Sequence, residues 1–266
     1  MVKFEKNTFK KRLKSMLGVD FRRMLVSPLF YIMIAISLMI PVLILVMTSM
    51  MDGSVSVDPQ TGAETVMEGF KNVWQIIGSV GGGEQTMSMD ITSMCNINMM
   101  FFIIAIFVCL FVGEDFRSGY AKNLFTVRSK KDDYVISKMI VCFVVGASML
   151  IAFFIGAMVG GVVAGLPFEL EGVTLFNVVM SMLSKIALVA IFVSIYILAS
   201  VFAKQKLWLS LILSFGVGML FFTMIPIITP LNANFVNLIL CLVGSGLFGV
   251  GISFGSKLIL DKTSLI

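Results

Sequence analysis

Long apolar runs are the feature that most constrains how this chain folds. Runs of about 20 residues recur along its 266 residues, and 58% of the residues are hydrophobic while 13% are charged. A transmembrane helix needs roughly 20 apolar residues, and a soluble domain carries roughly twice this charged fraction. Lipid offers no hydrogen-bond partner to the backbone, so spans of this kind must be helical. The sequence therefore predicts an all-α polytopic membrane protein.

We expect one transmembrane domain, residues 1–266, with six spans. The predicted spans are residues 29–50, 97–112, 134–165, 175–202, 207–228 and 238–258. Residues 51–96 form a polar outer loop, and residues 113–133 form a charged segment between the second and third spans.

Residues 1–26 are basic and are predicted to form an amphipathic helix in the membrane interface. Apolar residues recur there at spacings of three to five, and the only acids are Glu5 and Asp20. Such a helix suits anionic membrane lipid. Asp20 interrupts the apolar face.

The distribution of cations predicts the orientation. Eighteen of the 20 Lys and Arg residues fall in segments that six spans place on one side, and only Lys71 and Lys185 remain. The positive-inside rule then places both termini in the cytoplasm of a multi-pass cell-membrane protein. Because the cations crowd the ends of the apolar runs, the net charge of +5 does not indicate a nucleic-acid partner.

Within the outer loop, a short amphipathic helix is predicted near residues 66–77. Its apolar face consists of Met67, Phe70, Trp74 and Ile77, which follow helical spacing. We expect this face to cap the outer opening or to lie on the bilayer.

Lys185 is the one cation expected within the hydrocarbon. Three interpretations stay open: its side chain snorkels outward, pairs with an outer carboxylate, or lines a polar path.

The charged segment carries a candidate docking surface. If it is helical, Phe116, Tyr120 and Leu124 share one face, with Glu114 and Asp115 preceding them. Such a surface suits a soluble partner. The alternative is that these aromatic residues lie on lipid headgroups or pack on the chain's own spans.

Glycines of the third span recur at four-residue spacing, Gly156 with Gly160 and Gly161 with Gly165. Small residues at this spacing allow helices to approach closely. We favour packing within the chain over a dimer contact.

The sequence offers no catalytic chemistry. There is no His, the four cysteines lie apart, and no protease, hydrolase or phosphate-loop motif is complete. We expect no cofactor, no metal and no enzymatic activity, so the energy for any transport comes from another polypeptide.

The chain resembles the membrane subunit of a type 2 ABC exporter, similar to bacitracin-resistance and lantibiotic-immunity permeases of Gram-positive bacteria. The most specific match is an acidic–aromatic–x–x–Gly pattern, a basic turn and an aromatic–x–x–x–Lys pattern. The matching positions are Glu114–Phe116, Gly119, Arg128–Lys131, Tyr134 and Lys138. The loop between the fifth and sixth spans is short, where many members of the family have a re-entrant hairpin.

The resemblance implies that residues 113–133 hold a coupling helix, seated on a cytoplasmic ABC ATPase, with a second identical or related permease completing the complex. It implies ATP-driven export, or membrane extraction, of an amphipathic substrate such as an antimicrobial peptide. A lipid or drug exporter is the alternative, and a membrane anchor or sensor that transports nothing is a third.

Overall fold

The computed structural model describes residues 9–57, 64–66, 69–80, 95–127, 131–222 and 224–262. It contains nine α-helices within those residues. They are α1 Phe9–Val26, α2 Pro28–Met51, α3 Met100–Arg117, α4 Tyr120–Val127, α5 Asp132–Ala164, α6 Leu175–Ala203, α7 Leu207–Phe222, α8 Met224–Ile228 and α9 Phe235–Lys262. Two short 3-10 helices, Val73–Ile76 and Ile97–Met99, and a two-stranded antiparallel hairpin, β1 Val55–Val57 and β2 Glu64–Val66, complete the described elements.

The predicted class, an all-α polytopic membrane protein, is confirmed. Among the described residues, five helices are long and apolar enough to cross a bilayer: Pro28–Met51, Ile97–Arg117, Asp132–Ala164, Leu175–Ala203 and Phe235–Asp261. The described residues of the predicted fifth span form α7 and α8, and α7 is a shorter apolar helix. A helix of its length covers about 24 Å, which is less than the hydrocarbon thickness of about 30 Å.

Local chemistry explains where several helices begin and end. Ser27 separates α1 from α2, because Pro28 disfavours helical backbone at the residue before it but suits the first turn of a new helix. Gly165 ends α5 at a φ of 69°, a left-handed conformation that glycine adopts without strain. Thr174 and Asn177 form a capping box at the start of α6.

Two helices, α3 and α6, form the most buried part of the bundle. α6 lies between α3 and α9, and α7 packs against both α3 and α6. α2 packs along α5, and α1 lies against the first part of α5. The faces of α2 and α9 turned away from these neighbours are exposed and apolar, as expected for lipid contact.

The glycines of α5 allow it to approach α2 closely. A Cβ atom at Gly156 would lie 2.2 Å from the carbonyl oxygen of Leu38, and one at Gly160 would lie 2.8 Å from the Cα of Val42. A Cβ at Gly161 would overlap Val73. These three glycines therefore pack within the chain, which is the interpretation that the sequence favoured.

The two ends of the bundle differ in charge. We call one the basic end: it carries α1, α4, the turn between α6 and α7, and the last turns of α9. There Lys257 of α9 pairs with Asp132 of α5 at 3.0 Å, and Gly113 of α3 lies beside Leu207 of α7. The opposite end carries the hairpin and the turns that follow α5 and α8.

Candidate functional site: a buried ion cluster behind the α3–α4 turn

At the basic end, Asp115 of α3 is fully buried and lies between two cations. Its carboxylate lies 2.7 Å from Nη1 of Arg23 on α1 and 2.8 Å from Nζ of Lys138 on α5. The Tyr134 hydroxyl donates a hydrogen bond to it at 2.9 Å. One carboxylate thus joins three helices.

Asp20 of α1 extends this arrangement. It accepts hydrogen bonds from Ser137 at 2.6 Å and from Lys138 at 2.8 Å, and it lies 3.9 Å from Arg23. Both Asp20 and Lys138 have no exposed surface. The sequence predicted that Asp20 would weaken an apolar face, and the structure instead makes it a partner of Lys138.

We call Asp20, Arg23, Asp115 and Lys138 the ion cluster. Its two carboxylates and two cations balance, so its net charge is zero. Moving a charge out of water costs several kcal/mol unless it is paired and hydrogen-bonded. Each member here lies within 2.8 Å of an opposite charge. Asp20 and Lys138 are also hydrogen-bonded to each other, whereas Nη1 of Arg23 and Oδ1 of Asp115 form an ion pair without hydrogen-bond geometry. Burial alone would lower the pKa of Arg23, but Asp115, Tyr120 and Asp20 together outweigh that effect and raise this pKa, so Arg23 stays cationic.

A second ion pair fastens α1 to α5 further along the helix. Nε of Arg12 donates to Asp133 at 2.8 Å, and the Asp133 side chain is almost fully buried. α1 is therefore held to the start of α5 at two places by charge, in addition to the apolar contacts of Met16 and Met24.

The predicted coupling residues do not share one helical face. α3 ends at Arg117, Gly119 has a φ of 75°, and α4 begins at Tyr120. The change of direction at Gly119 separates Phe116 from Tyr120 and Leu124, so the prediction of a continuous helix was wrong. Glycine suits this turn because a positive φ strains other side chains.

Phe116 and Asp115 face the interior of the chain. Phe116 is 5% exposed and meets Tyr134 edge-on, with ring centroids 6.4 Å apart. Neither side chain is free to insert into a partner. Substituting Phe116 and Tyr120 together, as the predicted surface would require, therefore tests packing as much as docking.

The surface at this turn is instead polar. Six residues are exposed: Glu114, Arg117, Ser118, Lys122, Asn123 and Thr126. Tyr120 and Leu124 are half-buried, and the guanidinium of Arg23 lies 4.2 Å from the centre of the Tyr120 ring. We call the six exposed residues the turn surface. It lies directly on the helices that the ion cluster joins.

The sequence indicated only some of the residues that form this cluster and its hydrogen bonds. Asp115, Tyr134 and Lys138 belong to the recognised motif, but Asp20, Arg23 and Ser137 are distant from it along the chain. The one available signal was Asp20 itself, a carboxylate among apolar residues of α1, which requires a buried partner.

At the opposite end, the predicted outer helix is wrong. Val66 belongs to β2, and within the described residues 69–80 only Val73–Ile76 is helical, as a single 3-10 turn begun by the Asn72 side chain. Met67 lies outside the described residues. Phe70, Trp74 and Ile77 are buried in the chain, so they do not lie on the bilayer, while the alternative that this segment caps the outer opening stays a prediction.

This outer segment is fixed to the turn between α5 and α6. The Trp74 indole donates to the carbonyl of Phe168, the Asn72 amide donates to that of Glu169 at 2.5 Å, and the Trp74 ring packs on both Phe154 and Phe168. Leu231, after α8, donates from its backbone to Ser79 at 2.9 Å. Residues 69–80, 165–174 and 229–234 thus form one packed layer, which we call the outer layer.

Lys185 lies beneath the outer layer and is fully buried. Its Nζ donates to the Thr229 carbonyl at 2.9 Å and to the Thr229 hydroxyl at 2.7 Å. It does not snorkel to a surface, and no carboxylate pairs with it among the residues that the structure describes. The role of a polar path stays a prediction.

Comparison with known proteins assigns the family. The model of the family described as "ABC-2 family transporter protein" matches residues 21–223, which cover most of the chain. The match includes the turn surface, Lys185 and three members of the ion cluster, Arg23, Asp115 and Lys138, and it begins one residue after Asp20. This chain therefore belongs to the ABC-2 family of transporter proteins, as a permease and a membrane transport component. Membership implies an ABC ATPase partner and a partner permease. No curated protein matches, and no solved structure matches.

Proposed function

We propose that this chain lines the membrane path of an ATP-driven exporter and receives the motion of its ATPase at the turn surface. The observation that carries this proposal is the ion cluster. It joins α1, α3 and α5 by contacts of 2.6–2.8 Å immediately behind the turn surface.

The cluster supplies a way to transmit force. A partner that pulls on the α3–α4 turn pulls on Asp115, two residues before the end of α3. Because Asp115 is paired with Arg23 of α1 and Lys138 of α5, separating the three helices would leave charges buried and unpaired, which costs several kcal/mol. The three helices therefore move together, and α1 carries the motion towards α2.

The turn surface suits a polar docking contact. It combines Glu114 with Arg117 and Lys122, and charges on an exposed rim direct association and register more than they add affinity. Tyr120 and Leu124, half-buried below it, provide the apolar floor. Aromatic residues are common among the anchors of interfaces.

We propose that the basic end faces the cytoplasm, so that both termini are cytoplasmic, and that a second permease, identical or related, completes the path. The distribution of cations supports this orientation. Residues 1–26 then lie in the inner interface. The exposed face of α1 supports that position, because it combines Lys11, Lys14 and Arg22 with Val19 and Leu25.

For the substrate, we propose an amphipathic molecule such as an antimicrobial peptide. The support is the resemblance to bacitracin-resistance and lantibiotic-immunity permeases, carried by Glu114–Phe116, Gly119, Tyr134 and Lys138. Export of a lipid or a drug is the second candidate, favoured by the large exposed apolar faces of α2 and α9. In a strain that lacks this gene, complementation for peptide resistance or for drug resistance separates the two.

The docking proposal is tested by charge reversal. Arg117→Glu with Lys122→Glu alters the turn surface but leaves the ion cluster intact. The matched control is Lys204→Glu with Lys206→Glu, in the other turn at the basic end, where Lys206 is also exposed. We expect the first pair to lose the co-purifying ATPase and its hydrolysis of ATP, while the control retains both.

If both double variants retain the co-purifying ATPase equally, the ATPase docks at another surface. Purification of the unaltered chain with no ATP-hydrolysing partner would instead favour the anchor or sensor alternative.

A further inference from the structure

Lys185 and its surroundings form a polar cluster inside an otherwise apolar part of the bundle. Lys185 is the eleventh residue of α6, about 15 Å along the helix from its outer end. Ser181, Ser184 and Thr229 are buried beside it. The hydroxyl of Ser184 makes no hydrogen bond to an oxygen or nitrogen atom within the described part of the chain, and its side-chain neighbour there is the Cys241 thiol, a weak hydrogen-bond partner.

The acceptors of Lys185 come from one short segment. Thr229 follows α8, a five-residue helix that contains Pro226, and both of its oxygens accept from Lys185. Two residues later, Leu231 joins the outer layer through Ser79. Lys185 thus fixes the end of α8, and through it one edge of the outer layer, from below.

The acceptors are neutral, although the donor is a cation. Lysine in a membrane span is costly and commonly marks a substrate or ion pathway. A hydrogen bond between an ammonium and a carboxylate or phosphate is roughly twice as strong as one between neutral groups. An anion that reaches Lys185 therefore competes effectively with the oxygens of Thr229.

From this geometry we propose that Lys185 and Ser184 are the binding position for the anionic group, a carboxylate or a phosphate, of an amphipathic molecule in the transport path. The anion replaces Thr229 as the partner of Lys185, while the Ser184 hydroxyl, which lies beside the Cys241 thiol, donates a hydrogen bond to the anion. Loss of the Lys185–Thr229 contact leaves the end of α8 held by two longer hydrogen bonds, from Ser181 and from Asn237, each 3.4 Å long, and so loosens the outer layer at Leu231. This proposal rests on the proposed transport function, of which it specifies the substrate class.

The test measures binding without the ATPase, so its failure is distinct from failure of the docking proposal. The purified full chain is mixed with stearic acid, phosphatidylglycerol or phosphatidylcholine, and native mass spectrometry gives the dissociation constant of the first bound molecule. Stearic acid and phosphatidylglycerol separate a fatty carboxylate from a lipid phosphate as the anion, and phosphatidylcholine is the zwitterionic reference.

Lys185→Met removes the ammonium but keeps an unbranched side chain. We expect it to weaken binding of at least one anionic probe tenfold or more and to leave phosphatidylcholine unchanged. Lys14→Met, on the exposed surface of α1, reports the contribution of general surface charge and should change binding less than threefold. Equal effects of the two substitutions would overturn the proposal.

Thr229→Val gives a prediction of opposite sign. It removes one acceptor of Lys185 and keeps the volume of the side chain, so the preferred anion should bind several times more tightly. If Lys185 only secures the end of α8, neither substitution changes the preference for anions. Where Lys185→Met fails to fold, unchanged anion binding by Thr229→Val refutes the proposal by itself.

Discussion

Neutralising Asp115 of the ion cluster should destabilise the chain far more than neutralising the adjacent Glu114. Asp115 is buried and Glu114 is exposed, although the two carboxylates are adjacent in the sequence. In Asp115→Asn, Arg23 and Lys138 retain only Asp20 between them, at 3.9 Å and 2.8 Å. The amide of Asn also brings N–H donors towards Arg23 and Lys138, whose side chains offer only donors.

The magnitude follows from the burial of the cluster. Breaking a buried ion pair by neutralising one partner costs about 3–5 kcal/mol. Asn keeps one oxygen that can accept from Tyr134, so we expect the lower end, about 3 kcal/mol, which is on the order of a 100-fold change in the unfolding equilibrium. Glu114→Gln should change the free energy of unfolding by less than about 0.5 kcal/mol, as exposed substitutions usually do.

The assay is unfolding of the purified chain in mixed micelles titrated with sodium dodecyl sulfate. A double substitution sharpens it, because Asp115→Leu with Lys138→Met restores zero net charge to the cluster. Its cost should be smaller than the sum of the two single costs, since contacting charges are not additive. A loss below about 1 kcal/mol in Asp115→Asn, or strict additivity in the double variant, would refute the argument.

Two further outcomes are expected. Gly156→Ala should lower stability by about 1–3 kcal/mol, because its Cβ would meet the backbone oxygen of Leu38. The control Gly244→Ala, which has nothing within 4 Å of its Cβ, should be close to neutral in the same titration. Equal costs would contradict the close contact of α2 and α5. Ser54 and Ser118 are both exposed but lie at opposite ends of the bundle. In a variant without the four native cysteines, Ser54→Cys should therefore react with an impermeant thiol reagent in intact cells, and Ser118→Cys only after lysis. Labelling of Ser118→Cys in sealed cells would reverse the proposed orientation.

The class of fold was predictable because a bilayer imposes a length and a composition on every span. The long apolar runs that became α2, α5, α6 and α9 needed no tertiary information. Helix breaks also followed local rules where the residue was decisive, as at Pro28 and Gly165. At Gly119 the same kind of signal was present, and the turn was missed because the apolar spacing of Phe116, Tyr120 and Leu124 fitted a helix equally well.

The ion cluster could be predicted only in part, because it depends on which helices are neighbours. Asp20 and Lys138 are separated by more than a hundred residues, and periodicity places each on a face without saying what that face meets. The prediction of a helix in the outer segment was wrong for a related reason. Phe70, Trp74 and Ile77 have helical spacing, but tertiary contacts with Phe154 and Phe168 fix that segment in a largely non-helical conformation.

The central claim is that the turn surface contacts the ATPase, and site-specific photocrosslinking tests it most directly. A photoreactive residue is placed at Asn123, on the turn surface, or at Val66, exposed at the opposite end. After illumination of intact membranes, crosslinked products are identified by mass spectrometry. We predict that position 123 captures an ATP-hydrolysing subunit and that position 66 does not. Capture of that subunit at position 66, or none at position 123 while the subunit still co-purifies, would contradict the account.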